Sequence, residues 1–156
     1  MVYFSRATLR FDGACQPNPG EGGGGYVIFN DKNGNDIITG RTYIGWEYEG
    51  WNCTNNIAEY LGLIAALDRL SSSNHQIGHL TIEGDSEIVI RQMKGEYNVR
   101  SDQLRPLWNV MIIVGTRVYL VHIAFNTYTD KIMKMLMSWQ GRLSGMEMGR
   151  GITIEN

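Results

Sequence analysis

The chain has 156 residues, 43% of them hydrophobic, with 14 Lys and Arg against 16 Asp and Glu. That length supports one domain with a real core and is too short for two ordinary ones, while a net charge of −2 excludes an overall positive field for nucleic acid, so any such binding must be local. No basic-then-apolar leader opens the sequence and no apolar run approaches the roughly 18 residues of a membrane span, so a cytoplasmic or otherwise intracellular protein, neither secreted nor membrane-bound, is expected.

Taken in order, Tyr3 to Ala14 reads as a strand, with Phe4, Leu9 and Phe11 set among polar residues, and it carries Asp12-Gly13 near its end. A loop rich in Gly and Pro follows as far as Gly25. Tyr26 to Asn30 is a second strand, Asn33-Gly34 supplies a turn, and Ile37 to Tyr48 is a third strand. The period then changes. Ile57, Leu61, Ile64, Leu67 and Leu70 recur in steps of three and four, predicting a helix over 57–70. His79 to Glu83 is a short strand stopping at Gly84-Asp85-Ser86, and helices are predicted over 86–93 and 104–114. Arg117 to Phe125 is a fifth strand, and Asn126 to Trp139 a closing helix. A meander followed by strand-helix alternation argues for an α/β fold, a mixed sheet covered by helices. Residues 1–140 are expected to form the folded domain and 141–156 a loosely ordered tail. Cys15 and Cys53 are the only cysteines; their spacing indicates neither a zinc site nor a disulfide framework.

Four acidic residues recur at equivalent places in this scheme: Asp12 at the end of strand one, Glu59 in the first turn of the long helix, Asp85 at the end of strand four, and Asp130 near the start of the last helix. Sites in strand-helix folds cluster beyond strand ends and at helix N-termini, and ligands that are all oxygen suit magnesium or manganese. Singly, each has an ordinary role. The helix dipole accommodates an acid in the first turn by about 0.3–1 kcal/mol, and Asp85-Ser86 is a reasonable helix cap. Their neighbours favour a site: Asn55 and Asn56 precede Glu59 and Asn18 follows Asp12, side chains able to bridge sugar hydroxyls and base edges in the minor groove of an RNA-containing duplex.

The segments Asp12-Gly-Ala-x-x-x-Asn18-Pro-Gly-x-Gly-Gly-x-Gly25, Thr54-Asn-Asn-x-x-Glu59, Gly84-Asp85-Ser86 and Asn126-x-x-x-Asp130 resemble the four motifs of type 1 ribonuclease H, in that family's order, over roughly residues 7 to 137. The resemblance implies a ribonuclease H-like fold with a five-stranded mixed sheet, an antiparallel 1-2-3 meander plus parallel strands 4 and 5, flanked by helices. It implies that Asp12, Glu59, Asp85 and Asp130 are catalytic and metal-binding. Asn18, Gly13, Asn55, Asn56 and Ser86 are implied at the substrate surface. His122 matches a loop histidine associated with proton transfer or product release, although a strand-end position also suits an ordinary half-buried histidine. The run from His122 to Asp130 is shorter than is usual in that family, and the segment after Lys94 is compact, without a basic protrusion or a separate hybrid-binding domain. The implied activity is hydrolysis of the RNA strand of an RNA/DNA hybrid with two Mg²⁺ ions, Mn²⁺ able to substitute, giving 5′-phosphate and 3′-hydroxyl ends. A monomer is expected. The alternatives are a DEDD-type DNA exonuclease, which has no use for Asn55 and Asn56 as readers of ribose, and a non-catalytic hybrid-binding domain.

Overall fold

The computed structural model describes residues 1–117 and 122–127. Strands β1 (Val2–Gln16), β2 (Glu21–Asn30) and β3 (Asp36–Gly45) form the meander, and a two-stranded hairpin of β4 (Glu47–Tyr48) and β5 (Trp51–Asn52) leads into helix α1 (Asn55–Ser71). Strand β6 (His75–Gly84), helices α2 (Glu87–Met93) and α3 (Leu104–Arg117), and strand β7 (His122–Thr127) follow. The main sheet has five strands in the order β3-β2-β1-β6-β7, antiparallel between β1, β2 and β3 and parallel between β1, β6 and β7. This is the expected mixed sheet. Among the described residues no helix is long and apolar enough to cross a membrane.

Helix α1 is the central packing element. Ile57, Leu61, Ile64, Leu67 and Leu70 make the predicted stripe, but Ala58, Tyr60, Gly62, Leu63 and Ala66 are buried as well. A helix buried on more than one face has layers on both sides, here β1 and β2 on one and α3 on the other. Opposite it, Leu9, Phe11, Ile28 and Ile82 are fully buried. Each such aliphatic or aromatic side chain contributes about 1.5–3 kcal/mol of transfer free energy.

Four of the boundaries that differ from the sequence reading have a clear local reason. The glycine-rich loop is only a turn over 17–20, because Gly22 to Gly25 are buried in β2, paired with Asp12 to Cys15 of β1. The third strand does not run through to Tyr48. It ends at Gly45, whose φ is +80°, and the chain reverses again at Glu49 and Gly50, both with positive φ; adjacent positive φ values are the signature of a tight hairpin turn. Helix α3 continues to Arg117, so Arg117 does not open the last strand, whose described part is His122–Thr127. Asn126 and Thr127 belong to β7, paired with Glu83 and Gly84, so the closing helix does not start at Asn126. The remainder of that predicted helix and the expected tail over 141–156 lie outside the described residues.

Candidate metal and substrate site

The parallel register between β1 and β6 builds the site. Phe11 is the register partner of Gly84, so the residues that follow them, Asp12 within β1 and Asp85 just past the end of β6, stand at the same level of neighbouring strands. Arg10 and Glu83, partners one step earlier, are joined by a charge-assisted hydrogen bond of 2.9 Å that fixes this alignment. Helix α1 brings Glu59 in over the strand ends. One carboxylate oxygen from each of Asp12, Glu59 and Asp85 lies within 4.8 Å of the others.

Their environments differ. Asp12 is fully buried and Glu59 nearly so, while Asp85 faces outward. Oδ1 of Asp12 accepts the Gly13 N–H at 2.8 Å. Its Oδ2, and Oε2 of Glu59, are buried and accept no hydrogen bond. Burial, and after it the negative charge of Asp85, push the Asp12 carboxyl up to about 7 against the lowering influence of Glu59 and of the Gly13 N–H. Glu59 is raised well above the usual carboxylate range, first by burial and then by Asp12 and Asp85. A buried carboxylate without a donor or cation is costly. Two orphaned oxygens converging beside a third carboxylate fit a divalent cation, which supplies the missing positive charge and takes oxygen ligands.

Glu59 does not sit in the first turn of its helix. Thr54 is the N-cap, its Oγ1 accepting from the Ile57 N–H at 3.3 Å, and no acidic residue occupies the first turn of α1. The dipole account of Glu59 therefore fails, and its burial among acids is left for the site to explain.

Close approach of α1 to the sheet makes that placement sterically possible. A Cβ on Gly13 would fall 2.1 Å from the carbonyl carbon of Ala58, and one on Gly62 would fall 2.9 Å from the carbonyl oxygen of Asp12. Gly13, expected at the substrate surface, is instead buried beneath the helix. Gly62 was not singled out in the sequence, though a glycine inside a strongly periodic helix, costing about 1 kcal/mol relative to Ala, is itself a sign of a packing constraint.

Asn18, Asn55 and Asn56 line the rim. Asn55 Oδ1 accepts the Cys15 N–H at 2.9 Å and Asn18 Oδ1 accepts the Asn55 N–H at 3.2 Å, so both side-chain carbonyls are committed to holding the β1–β2 turn against the start of α1. Their NH₂ groups are left as donors toward solvent. Asn56 is partly exposed beside them. The Ser86 hydroxyl caps α2, accepting from the Val89 N–H at 3.4 Å. His122 is the register partner of His79, five residues before Gly84. At about 3.3 Å per residue, its backbone lies roughly 16 Å along the strand from the level of Gly84. Asp130 lies outside the described residues. Sequence reading also missed that Cys15 and Cys53, 38 residues apart, meet; nothing in their spacing signals it.

A mixed sheet of this order, with acidic residues at the same level of neighbouring parallel strands and a third from the covering helix, defines the ribonuclease H-like class. The chain belongs to the reverse transcriptase-like family, whose model matches residues 10–127, and within it to the ribonuclease H group. It is 27% identical over 135 residues to the bifunctional protein Rv2228c of Mycobacterium tuberculosis, covering 81% of this chain and 34% of that protein. It is 34% identical over 100 residues to ribonuclease HI of Halobacterium salinarum, covering 64% of this chain and 46% of that one. The chain thus spans between a third and a half of the length of these two relatives. The crystal structure of the Halobacterium salinarum enzyme superposes with a TM-score of 0.74 at 25% identity, over 88% of this chain and 96% of that one. LC11-RNase H1, solved in complex with an RNA/DNA hybrid, shares the fold with a TM-score of 0.74 at 24% identity, over 94% of this chain and 99% of that one.

Proposed function

We propose that this protein is a ribonuclease H that hydrolyses the RNA strand of RNA/DNA hybrids, leaving 5′-phosphate and 3′-hydroxyl ends. The observation that carries this reading is the Asp12–Glu59–Asp85 triad, with its two orphaned buried oxygens, next to a rim of asparagine amides. Asp130 is proposed as a fourth ligand on the strength of its motif in the sequence. Two Mg²⁺ ions held by these carboxylates, with Mn²⁺ able to substitute, would supply charge to screen the phosphodiester and acidity for the attacking water.

The chain's own groups do the rest. Asp12 and Glu59 hold fixed negative charge at a position set by strand register and helix packing, so it need not be organised during the reaction. Asp85, facing outward, is the carboxylate nearest to incoming substrate. The Asn18 and Asn55 amides, with their carbonyls already engaged, present donors only, suited to the 2′-hydroxyl oxygens and base acceptors of the minor groove. Net negative charge limits non-specific attraction to duplexes, so recognition rests on these directed contacts.

The test is cleavage of labelled RNA/DNA hybrid against RNA duplex, DNA duplex and single-stranded DNA, in Mg²⁺ and in Mn²⁺, with Asp12→Asn as control. Selective internal cutting of the RNA strand is expected. Digestion of single-stranded DNA from an end would identify an exonuclease instead. Metal-independent hybrid binding without cleavage would identify a non-catalytic domain.

A further inference from the structure

Both cysteines of the chain are free and buried, at 4% and 0% exposure. Their sulfurs stand 2.7 Å apart. The site reading gives them no role, yet several features hold them together. Cys15 is the register partner of Gly22, and a side chain there would displace the pair: a Cβ on Gly22 would fall 2.3 Å from Cys53 Sγ and 2.8 Å from Cys15 Sγ. Both backbones are anchored. The Cys15 N–H donates to Asn55 Oδ1 at 2.9 Å, the Gly20 N–H donates to the Cys53 carbonyl at 2.9 Å, and the Cys53 N–H donates to the Trp46 carbonyl at 2.9 Å.

We propose that Cys15 and Cys53 are a dithiol modification site that a hydroperoxide converts to an intramolecular disulfide. The two sulfurs have unequal tasks. Cys15 is the more accessible of the two residues, at 4% exposure against 0%, so a peroxide meets its sulfur first and Cys15 is the nucleophile; the hydrogen bond with Cys53 lowers the Cys15 thiol from its ordinary value. Its thiolate attacks one peroxide oxygen, the O–O bond breaks, and the departing hydroxide is protonated to water, leaving a sulfenic acid. The Cys53 sulfur then attacks the Cys15 sulfur. The S–O bond breaks and a second water leaves with the Cys53 proton. Two thiols lose two electrons, and one hydroperoxide gains them.

The bond would tie the strand that follows Asp12 to the segment that enters α1, across 38 residues of sequence. Sulfurs already in contact on anchored backbones close with little rearrangement, so the disulfide is expected to stabilise the fold while leaving the carboxylate triad in place. Closing a loop of this length constrains mainly the unfolded chain.

The experiment treats the full chain with hydrogen peroxide and compares it with protein kept in a phosphine reductant. Expected are a monomer lighter by two hydrogens, loss of both alkylatable thiols under denaturing conditions, and a Tm higher by roughly 5–15 °C, all reversed by reductant. Cys53→Ser and Cys15→Ser should each abolish the peroxide-dependent rise in Tm. Because a single variant can fail to fold for packing reasons, thiol counting and mass on the unaltered protein decide independently. A covalent dimer, Cys15 oxidised to sulfinic acid with Cys53 still alkylatable, or an oxidised monomer with unchanged Tm would each overturn the proposal.

Discussion

Asp12 and Glu59 each bury one carboxylate oxygen that accepts no hydrogen bond, and the two groups converge from different elements of the fold. Without a cation this pairing opposes folding. Replacing Asp12 with Asn removes one of the repelling charges at nearly constant shape. Asp12→Asn is therefore expected to match or exceed the parent in Tm when metal is chelated, and to lack the Mg²⁺-dependent rise in Tm that is expected of the parent. Hybrid cleavage should fall by on the order of 10³-fold, through loss of metal-supplied charge stabilisation. Thermal melts with and without Mg²⁺, run beside a cleavage assay, check all three.

Stability should also depend on pH in a direction opposite to that of an ordinary salt-bridged acid. In the unfolded chain Asp12 releases its proton near the usual value of 3.8, while in the folded protein it keeps it up to about 7. Between these values the folded state binds more protons, so stability falls as pH rises from about 4 to about 7, with Glu59 adding in the same direction. Denaturant unfolding with chelator present should show this decline. Mg²⁺ should flatten it by competing for the deprotonated carboxylates, and Asp12→Asn should make it shallower. A parent protein whose metal-free stability rises through that window would contradict the raised carboxyls.

Gly13 is the contact where helix meets strand. An alanine methyl would collide with Ala58 backbone that a rotamer change cannot move. Gly13→Ala should cost about 1–3 kcal/mol or more by overpacking, and metal affinity should fall with it because Glu59 is carried outward with α1. Isothermal titration of Mg²⁺ on whatever fraction remains folded separates displacement of Glu59 from simple unfolding. Normal affinity in a destabilised protein would mean that the helix shifts without moving the site.

Asn55 allows its two ends to be tested separately. Asn55→Asp keeps an acceptor for the Cys15 N–H but loses the outward donor, so folding should be nearly unchanged while KM for hybrid rises at least tenfold. Asn55→Ala removes both and leaves the Cys15 N–H unsatisfied, adding about 1 kcal/mol of destabilisation. Steady-state kinetics with a parallel melt distinguishes the two substitutions.

The succession of strands and helices and the three described carboxylates were legible from short-range signals: alternation in β1, the 3.6 period of α1, and an acid beside the apolar runs of β1 and β6. The mixed strand pairing was implied by the family resemblance. What escaped was decided at longer range. Gly22 to Gly25 look like a loop because glycine disfavours strands in isolation; here contact with α1 and the cysteine sulfurs favours strand with no side chain. Glu49 and Gly50 close a hairpin that the aromatic run around them disguised as continuous strand. His122 was singled out by its match to a family histidine, and the pairing of its backbone with His79 sets it well down the strand from Gly84.

The Phe11–Gly84 pairing has one more implication. Side chains alternate along a strand, so sliding β6 by a single residue against β1 would turn Asp85 to the opposite face of the sheet and shift it by about 3.3 Å. No partially correct alignment retains three converging acids. Cation affinity is therefore expected to work as a caliper on strand registry: during refolding, the onset of divalent-cation binding should mark the moment at which β1 and β6 have found their single correct alignment.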